Sequence, residues 1–308
     1  MGTPDFAVAT LATLVSHNYN IVGVITAPDR PAGRGRKLQE SSVKKYAVSQ
    51  NLNVLQPTNL KSDDFVQELK SLDANLQIVV AFRMLPKVVW SMPKFGTFNL
   101  HASLLPQYRG AAPINWALMN GETETGVTTF FIDDKIDTGE IILQEKTTIQ
   151  PDETAGFLHD KLMNLGRTLV LKTVGLIESN EATTTKQNMT ATLKSAYKIH
   201  KETCEVNWEA PIDDIYNHIR GLSPYPASWT TLYNEEDEIF LKIYDVKKEV
   251  DTTQQLKPGS VLSSKNELKI AVSGGYINLI EIQLPGKRKM QTKDVLNGLK
   301  LSKTAYVS

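Results

Sequence analysis

Several features that would narrow the possible functions are scarce in this chain of 308 residues. Cys204 is the only cysteine, which excludes an intramolecular disulfide and a zinc site built on several cysteines. No apolar run comes near the roughly 20 residues that a transmembrane helix needs, so the sequence predicts no membrane span. The five histidines show no pairing at the spacing of a zinc-binding helix. We therefore expect no metal.

Net charge is also lacking, because 34 Lys and Arg residues balance 34 Asp and Glu residues. A nucleic-acid partner must therefore be argued from local clusters of basic residues. The chain does not open with basic residues followed by a long apolar stretch, which predicts a cytoplasmic location. Apolar residues make up 41% of the chain and charged residues 22%, as is typical of a folded globular protein.

The pattern of apolar residues predicts two domains. From residue 5 to about 180, amphipathic stretches alternate with short apolar strands, which predicts a doubly wound, mostly parallel α/β sheet. Residues 181–196 are Thr-rich, polar and without periodicity, and we interpret them as a linker. Short β segments with closely spaced turn residues follow over 197–308 and predict a smaller, β-rich, OB-like domain. The first domain, 1–180, opens on a helix, so we expect either that residues carrying its usual first strand have been lost from the start or that the sheet lacks this member.

One strand carries polar side chains where a plain strand would carry Val or Ile. In NLHASLLPQYRG (99–110), Asn99 and His101 are two residues apart, so both leave the same face of the strand, about 7 Å apart. Asp137, in IDTGEII, stands in a turn between two strands; a carboxylate folded over His101 could hold a ring nitrogen and favour the protonated form. Taken alone, His101 is more often a structural histidine, and Asp137 a residue that caps its own turn.

Two clusters of basic residues could contact phosphates. The loop 28–45 has a local charge of +4, from Arg30, Arg34, Arg36, Lys37, Lys44 and Lys45 against Asp29 and Glu40. Its GRGRK stretch is not a dinucleotide-binding turn, because it follows a proline-rich turn and does not open a helix directly after a strand. The second cluster is Lys287, Arg288 and Lys289. Such runs can follow a phosphate backbone, although a solvated surface is the common alternative.

The motifs occur in a recognisable order. They are GTPDFA (2–7), PDRPAGRGRKL (28–38), NLHASLLPQYRGAAPINWAL (99–118), IDTGEII (136–142) and GLSPYPASW (221–229). Over essentially its whole length the chain resembles the formyltransferases that use 10-formyltetrahydrofolate, and among them the methionyl-tRNA formyltransferase family. This resemblance implies a formyltransferase catalytic domain over 1–180 and a tRNA-binding domain over 197–308.

The resemblance also implies roles for individual residues. Asn99, His101 and Asp137 would be catalytic, and the segment Ser103, Leu104, Leu105 and Pro106 would line a slot for the folate. Arg34, Arg36 and Lys37 would enter the acceptor end of a tRNA, and we expect Lys287, Arg288 and Lys289 to add phosphate contacts. The stretch VVAFRMLPK is one residue shorter than the form common in the family. The family's contacts with the folate ring therefore do not transfer position by position to Phe82 to Leu85.

The implied reaction moves a formyl group from 10-formyltetrahydrofolate, a co-substrate, to the α-amine of methionine on initiator Met-tRNA, without a metal and in a monomer. An α-amine has a pKa near 8, about a unit above neutral pH, so a strong base is unnecessary. Two alternatives stay open. One is an enzyme with the same Asn-His-Asp set that formylates a sugar nucleotide or small amine; the other is a folate- or RNA-binding protein without catalysis.

Overall fold

The computed structural model of the chain describes residues 1–32, 37–188 and 192–308. Its α-helices are α1 (Asp5–Ser16), α2 (Ser42–Ser49), α3 (Asp63–Ser71), α4 (Lys87–Trp90), α5 (Pro113–Met119), α6 (Ala155–Glu178), α7 (Ile212–Leu222) and α8 (Thr292–Val295), with a 3-10 helix at Glu202–Cys204. The strands of the first half are β1 (Val24–Ile25), β2 (Arg30–Ala32), β3 (Lys37–Gln39), β4 (Val54–Leu55), β5 (Gln77–Val80), β6 (Thr97–His101), β7 (Arg109–Gly110), β8 (Glu124–Phe131) and β9 (Ile141–Thr148). Those of the second half are β10 (Ser195–Ala196), β11 (Ser228–Asn234), β12 (Asp237–Val250), β13 (Val261–Ser263), β14 (Leu268–Val272), β15 (Gly275–Gln283), β16 (Met290–Gln291) and β17 (Tyr306–Val307).

The chain divides into two compact units. The first comprises Met1–Gly110, Thr125–Thr147 and Asp160–Ser195, and the second comprises Ala111–Glu124, Thr148–His159 and Ala196–Ser308. Neither unit is one continuous stretch of sequence. The predicted domain boundaries, 1–180, 181–196 and 197–308, stay a prediction.

The first unit is built on a sheet of short buried strands. β5 and β6 pair in parallel, β6 and β8 pair antiparallel, and the order is β5-β6-β8-β9. β1 and β4 form a second parallel pair. Gly2 links the two, because it bridges Val80 in parallel and its N–H donates to Ile25 O at 3.0 Å. Buried apolar residues of α3, α4 and these strands, among them Phe65, pack together as a hydrophobic core.

Local sequence explains where the helices of this unit begin and how closely they pack. Ser41 caps α2 by accepting a hydrogen bond from Lys44 N at 3.0 Å, as expected of serine at a helix start. On α6, a Cβ added at Gly166 would lie 2.8 Å from Leu100 Cδ2 of β6. The glycine therefore lets the helix approach the strand on the face opposite Asn99 and His101.

The second unit contains a closed antiparallel barrel. Its strands follow the order β13-β14-β15-β12-β11-β17, with β16 beside β15. The ends of this path meet: Val307 N donates to Gly259 O at 2.9 Å, and Val261 N donates to Ala305 O at 3.3 Å. Ile215 and Ile219 of α7 are buried in the barrel core. The predicted α/β domain followed by a smaller β-rich domain is confirmed.

Candidate active site

Asn99 and His101 both lie on β6, the central strand between β5 and β8. Phe98 and Leu100 alternate with them and are fully buried or nearly so on the other face. This alternation places the two polar side chains on one face, at the carboxyl end of a strand that runs parallel to β5. His101 is itself buried, with 6% of its surface exposed.

The His101 ring lies between a backbone carbonyl and a carboxylate. Its Nε2 is 2.8 Å from Tyr108 O, and its Nδ1 is 3.8 Å from Asp137 Oδ2. Because a carbonyl oxygen can only accept, Nε2 must carry a hydrogen, so a neutral ring would leave the bare Nδ1 facing the carboxylate. A second proton on Nδ1 would face that negative charge. The ring is therefore oriented by Tyr108 O, with Nδ1 directed toward the Asp137 carboxylate.

Asp137 is held in an unusual backbone conformation. Its φ is +53°, in the left-handed region that most residues other than glycine avoid. Asp133 closes this turn, because its carboxylate accepts from Lys135 N at 2.9 Å and from Thr138 Oγ1 at 2.7 Å. The Asp137 carboxylate instead accepts from Gly110 N at 2.9 Å. It thus turns away from local capping and toward the segment that follows His101.

Asn99 carries a buried atom with an unmet hydrogen-bonding need. Its Oδ1 is buried and has no hydrogen-bond partner among the residues that the structure describes. Leaving a buried polar atom unpaired typically costs about 1–3 kcal/mol. Such an atom on the same strand face as His101 is well suited to a ligand that donates a hydrogen bond there.

The segment predicted to line the folate slot is tightly bonded. Ser103 is fully buried and donates to Gln107 O at 2.7 Å, while its own carbonyl accepts from Thr128 Oγ1 at 2.6 Å. Leu105 is buried, and its carbonyl accepts from Gln144 Nε2 at 2.9 Å. Leu104 and Pro106 are half-buried, and the Leu105–Pro106 peptide is cis. Contact of these four residues with a folate stays a prediction.

The stretch after β5 divides between core and surface. Leu85 is buried in the core of the first unit, and Phe82 packs against that core. Arg83 stacks its guanidinium 5.6 Å from the Phe82 ring centre, and Met84 is exposed. Contact of Phe82 to Leu85 with a folate ring likewise stays a prediction.

Arg109 adds positive charge close to Asp137. Burial lowers the pKa of the Arg109 guanidinium from its ordinary value, while the charges of Asp137 and Asp133 oppose that shift. Its Nε donates to Gln187 Oε1 at 3.1 Å. The site therefore holds a cation close enough to interact with both Asp137 and Asp133.

The first basic cluster falls on a hairpin. β2 and β3 pair antiparallel, with Arg30 opposite Gln39. Arg34 and Arg36 lie outside the described residues, and of Lys37 only the backbone, in β3, is described. Lys44 forms ion pairs with Asp29 and, at 3.0 Å, with Glu40. Both acidic residues of the loop are thus paired within it.

The second basic cluster lies on the turn between β15 and β16. Lys287, Arg288 and Lys289 are all exposed. Lys289 Nζ is 3.0 Å from Glu281 Oε2 and 5.4 Å from the centre of the Tyr244 ring. Lys287 N donates to Leu284 O at 3.1 Å, which fixes the turn. Phosphate contacts by these three residues stay a prediction.

Within residues 1–32, 37–188 and 192–308, no group of three or more His, Cys, Asp or Glu side chains is placed to hold a metal ion. Over the same described ranges, none of the helices combines the length and the apolar character needed to span a bilayer.

Sequence reasoning missed the groups that hold the site together. Tyr108 O and Gly110 N belong to the motif 99–118, but backbone atoms leave no signature in a sequence. Gln187 donates to Asp137 O at 3.0 Å and to Gly139 O at 2.8 Å. It lies in the stretch read as a linker, where nothing in the local pattern distinguishes it.

The chain matches two family models. Residues 1–174 match the model described as "Formyl transferase", and residues 198–300 match "Formyl transferase, C-terminal domain". Together these models span nearly all of the chain, in the order that the sequence motifs predict.

Curated relatives match over almost their full length. A protein of Flavobacterium johnsoniae named methionyl-tRNA formyltransferase is 57% identical over 307 residues, covering 100% of this chain and 97% of the relative. Proteins of the same name from Flavobacterium psychrophilum and Bacteroides fragilis are 55% and 52% identical, covering 97% and 94% of those relatives.

Solved structures share the fold. An N-formyltransferase from Helicobacter canadensis, in complex with folinic acid and dTDP-3-aminofucose, has a TM-score of 0.65 at 22% identity and covers 90% of this chain and 96% of its own. The sugar 3N-formyl transferase WlaRD has a TM-score of 0.64 at 22% identity, covering 93% and 97%. At this identity the likeness concerns the fold alone.

The resemblance drawn from the motifs at 99–118 and 136–142 is therefore confirmed, and with it the prediction of an enzyme. The models cover both halves of the chain, and relatives of the same name match it from end to end. The chain belongs to the formyl transferase family.

Proposed function

We propose that this protein transfers the formyl group of 10-formyltetrahydrofolate to the α-amine of methionine on initiator Met-tRNA, with Asn99, His101 and Asp137 as its catalytic residues. The observation that carries the proposal is the His101 ring between Tyr108 O, at 2.8 Å, and Asp137 Oδ2, at 3.8 Å. Full-length relatives named methionyl-tRNA formyltransferase support the choice of acceptor.

The chemistry needs polarisation more than a strong base. The α-amino nitrogen forms a bond to the formyl carbon, the bond from that carbon to N10 breaks, and one proton passes from the attacking nitrogen to N10. With a pKa near 8, a useful fraction of the amine is neutral at physiological pH. The costly step is the growth of negative charge on the formyl oxygen.

Asn99 and His101 suit that step. The Asn99 carboxamide can donate from Nδ2 to the formyl oxygen, while its unpaired Oδ1 accepts from the incoming amine. His101 Nδ1 is 3.8 Å from Asp137 Oδ2, which is too far for a good hydrogen bond. In the proposed mechanism a proton on Nδ1 is therefore free to bind the formyl oxygen, and the carboxylate stabilises the positive charge of the ring. Loss of one such donor typically costs about 3 kcal/mol of barrier.

The finer partners are part of the same proposal. The segment Ser103 to Pro106 lines the folate slot, and the hairpin β2–β3 and the turn Lys287–Lys289 contact tRNA phosphates. We expect the protein to act in the cytoplasm. We also expect it to be a monomer, and light scattering at working concentration can measure its mass.

The test is a formyl-transfer assay with 10-formyltetrahydrofolate and charged initiator Met-tRNA. We expect rapid formylation of the initiator and slow formylation of elongator Met-tRNA, which is the matched control. A nucleotide-linked amino sugar serves as a second acceptor. Faster transfer to that sugar would contradict the proposed acceptor, and folate binding without turnover on any acceptor would contradict catalysis.

A further inference from the structure

The residues 184–187 run alongside the loop that carries Asp137. Thr185 and Ile141 exchange two backbone hydrogen bonds, each of 2.9 Å. Thr184 Oγ1 donates to the Glu140 carboxylate. This short segment, named here the loop brace, therefore adds a strand-like contact beside the start of β9, although its sequence is polar and without periodicity.

Gln187 uses both ends of its side chain within the first unit. Its Nε2 donates to Asp137 O at 3.0 Å and to Gly139 O at 2.8 Å, which accounts for both amide hydrogens. Its Oε1 accepts from Arg109 Nε at 3.1 Å. Gln187 is half-buried, whereas its neighbours on both sides are exposed. One carboxamide thus joins the Asp137 loop to the segment that follows His101.

The joined groups are those that set the position of the Asp137 carboxylate. The backbone of Asp137 has a φ of +53°, in the left-handed region that Asp enters more readily than most other non-glycine residues. The carboxylate accepts from Gly110 N, the residue next to Arg109, at 2.9 Å. Gln187 therefore contacts both sides of this arrangement. Its amide hydrogens bind the Asp137 loop, and its oxygen binds Arg109, which is next to the Gly110 N–H that the carboxylate accepts from.

We infer that Gln187 is a positioning residue that sets the distance between Asp137 and His101. This inference rests on the proposed function for its kinetic consequence, although the structural consequence stands by itself. Without Gln187, the carbonyls of Asp137 and Gly139 lose the side chain that gathers them, and the loop relaxes from its left-handed conformation. A displacement of about 1 Å at a catalytic group can cost up to a hundredfold in rate.

The test compares Gln187→Ala, Gln187→Glu and the control Thr183→Ala, which changes an exposed residue near the loop brace. Gln187→Glu keeps an acceptor for Arg109 but loses both donors to the loop. We expect kcat to fall about tenfold to a hundredfold in both Gln187 variants, with KM for 10-formyltetrahydrofolate nearly unchanged. Thr183→Ala should match wild type. A Gln187→Glu variant with wild-type kcat would overturn the inference.

A double variant separates positioning from general destabilisation. If Gln187 acts through Asp137, then adding Gln187→Ala to Asp137→Asn should slow the enzyme by less than twofold, since the two changes disrupt one arrangement. Effects that multiply would show that Gln187 acts elsewhere. Melting curves of each variant check that the fold persists.

Backbone hydrogen exchange supplies a readout that needs no activity. Residues 137–141 should exchange faster in Gln187→Ala and Gln187→Glu than in wild type, with no change in β12 or β15 of the barrel. Unchanged exchange in this loop would overturn the inference. A wild-type protein that lacks formyl transfer, with exchange still accelerated in the variants, would contradict the proposed function and leave the positioning role supported.

Discussion

The two ring nitrogens of His101 face different partners, and the proposed mechanism depends on this side chain most directly. Replacing His101 by Ala removes the ring that the proposed mechanism uses to polarise the formyl group. We expect kcat to fall at least about a hundredfold, with the melting temperature little changed. The control is His17→Ala, an exposed histidine at the end of α1. A His101→Ala enzyme that keeps a tenth of the wild-type rate would contradict the assignment of His101 as a catalytic residue.

In the proposed mechanism Asn99 and His101 serve one developing charge, so their contributions should not be independent. We expect Asn99→Ala alone to lower kcat by about a hundredfold, the usual effect of removing one donor to an oxyanion. The double variant Asn99→Ala with His101→Ala should lose less than the product of the two single losses. Single-turnover kinetics on all four proteins measure this. Losses that multiply fully would mean that the residues act in separate steps.

At the residue scale, sequence identifies side chains whose chemistry is itself the signal. Asn99 and His101 interrupt an otherwise apolar strand, which draws attention to them, whereas the catalytic roles of these two residues and of Asp137 are implied by the family resemblance and stay a prediction. Gln187 could not be named in advance, because its role depends on a contact across some fifty residues of sequence with Asp137 and Gly139. The φ of Asp137 was equally hidden, since neither composition nor periodicity encodes it.

At the scale of elements, the connection between β8 and β9 leaves no room for a side chain at Gly139. An added Cβ would overlap the backbone oxygen of Phe131, which cannot move without disturbing β8. We therefore expect Gly139→Ala to displace the Asp137 loop, to lower kcat at least about tenfold and to cost about 1–3 kcal/mol of unfolding free energy.

Gly175 is the matched control for that change. It lies in α6, and a Cβ added there would meet nothing within 4 Å. Gly175→Ala should stabilise the protein by about 0.5–1 kcal/mol, because alanine loses less conformational freedom in a helix. Urea denaturation and the formyl-transfer assay separate the two variants. Equal behaviour of Gly139→Ala and Gly175→Ala would show that the loop tolerates rearrangement.

The start of α2 offers a second test of local structure. Ser41 Oγ accepts from Lys44 N at 3.0 Å and lies 2.7 Å from Thr26 Oγ1, which is buried. Ser41→Ala should cost about 1 kcal/mol of unfolding free energy, the typical value for a lost helix cap. Ser62 stands at the same position of α3 without a capping hydrogen bond. Ser62→Ala should therefore cost less, and a larger loss there would contradict the assignment.

Periodicity predicted the existence of the elements better than their extent. The strand predicted to carry Asn99 and His101 corresponds to β6, and the helical spacing of apolar residues in DFAVATLATLVSH (5–17) corresponds to α1. Over the apolar stretch IVGVIT (21–26), which alone favours a longer strand, only Val24–Ile25 is a strand, because the pairing with β4 covers two residues. Strand length depends on the partner available, which a sequence pattern does not specify.

At the scale of the whole molecule, a chain with no net charge must bind a polyanion through local clusters. If Lys287 contacts one phosphate, Lys287→Ala should weaken Met-tRNA binding and reduce the slope of log affinity against log salt by about one. Titrations between about 50 and 200 mM salt measure that slope. Lys265→Ala, which removes another exposed lysine of the barrel, is the control. Identical slopes for the two variants would contradict the prediction that this turn contacts tRNA.

The grouping of segments into units was beyond reach of a linear reading. α5 belongs to the second unit although the sequence places it inside the first domain. It packs on α7: Asn115 Nδ2 donates to Gly221 O at 2.7 Å, and a Cβ at Gly221 would lie 2.7 Å from Met119 Cγ. Such packing depends on surfaces a hundred residues apart in sequence. The order of α/β and β-rich parts, by contrast, follows from periodicity alone.

The meeting of Gly259 and Val261 with Ala305 and Val307 has a consequence for the protein at high concentration. An open sheet ends in rows of unpaired backbone groups, and those rows are templates for polymerisation with identical chains. Here the backbone groups at the first and last strands of the path form hydrogen bonds with each other instead. Loosening these contacts, for example by Val307→Pro, should make this domain prone to edge-to-edge aggregation.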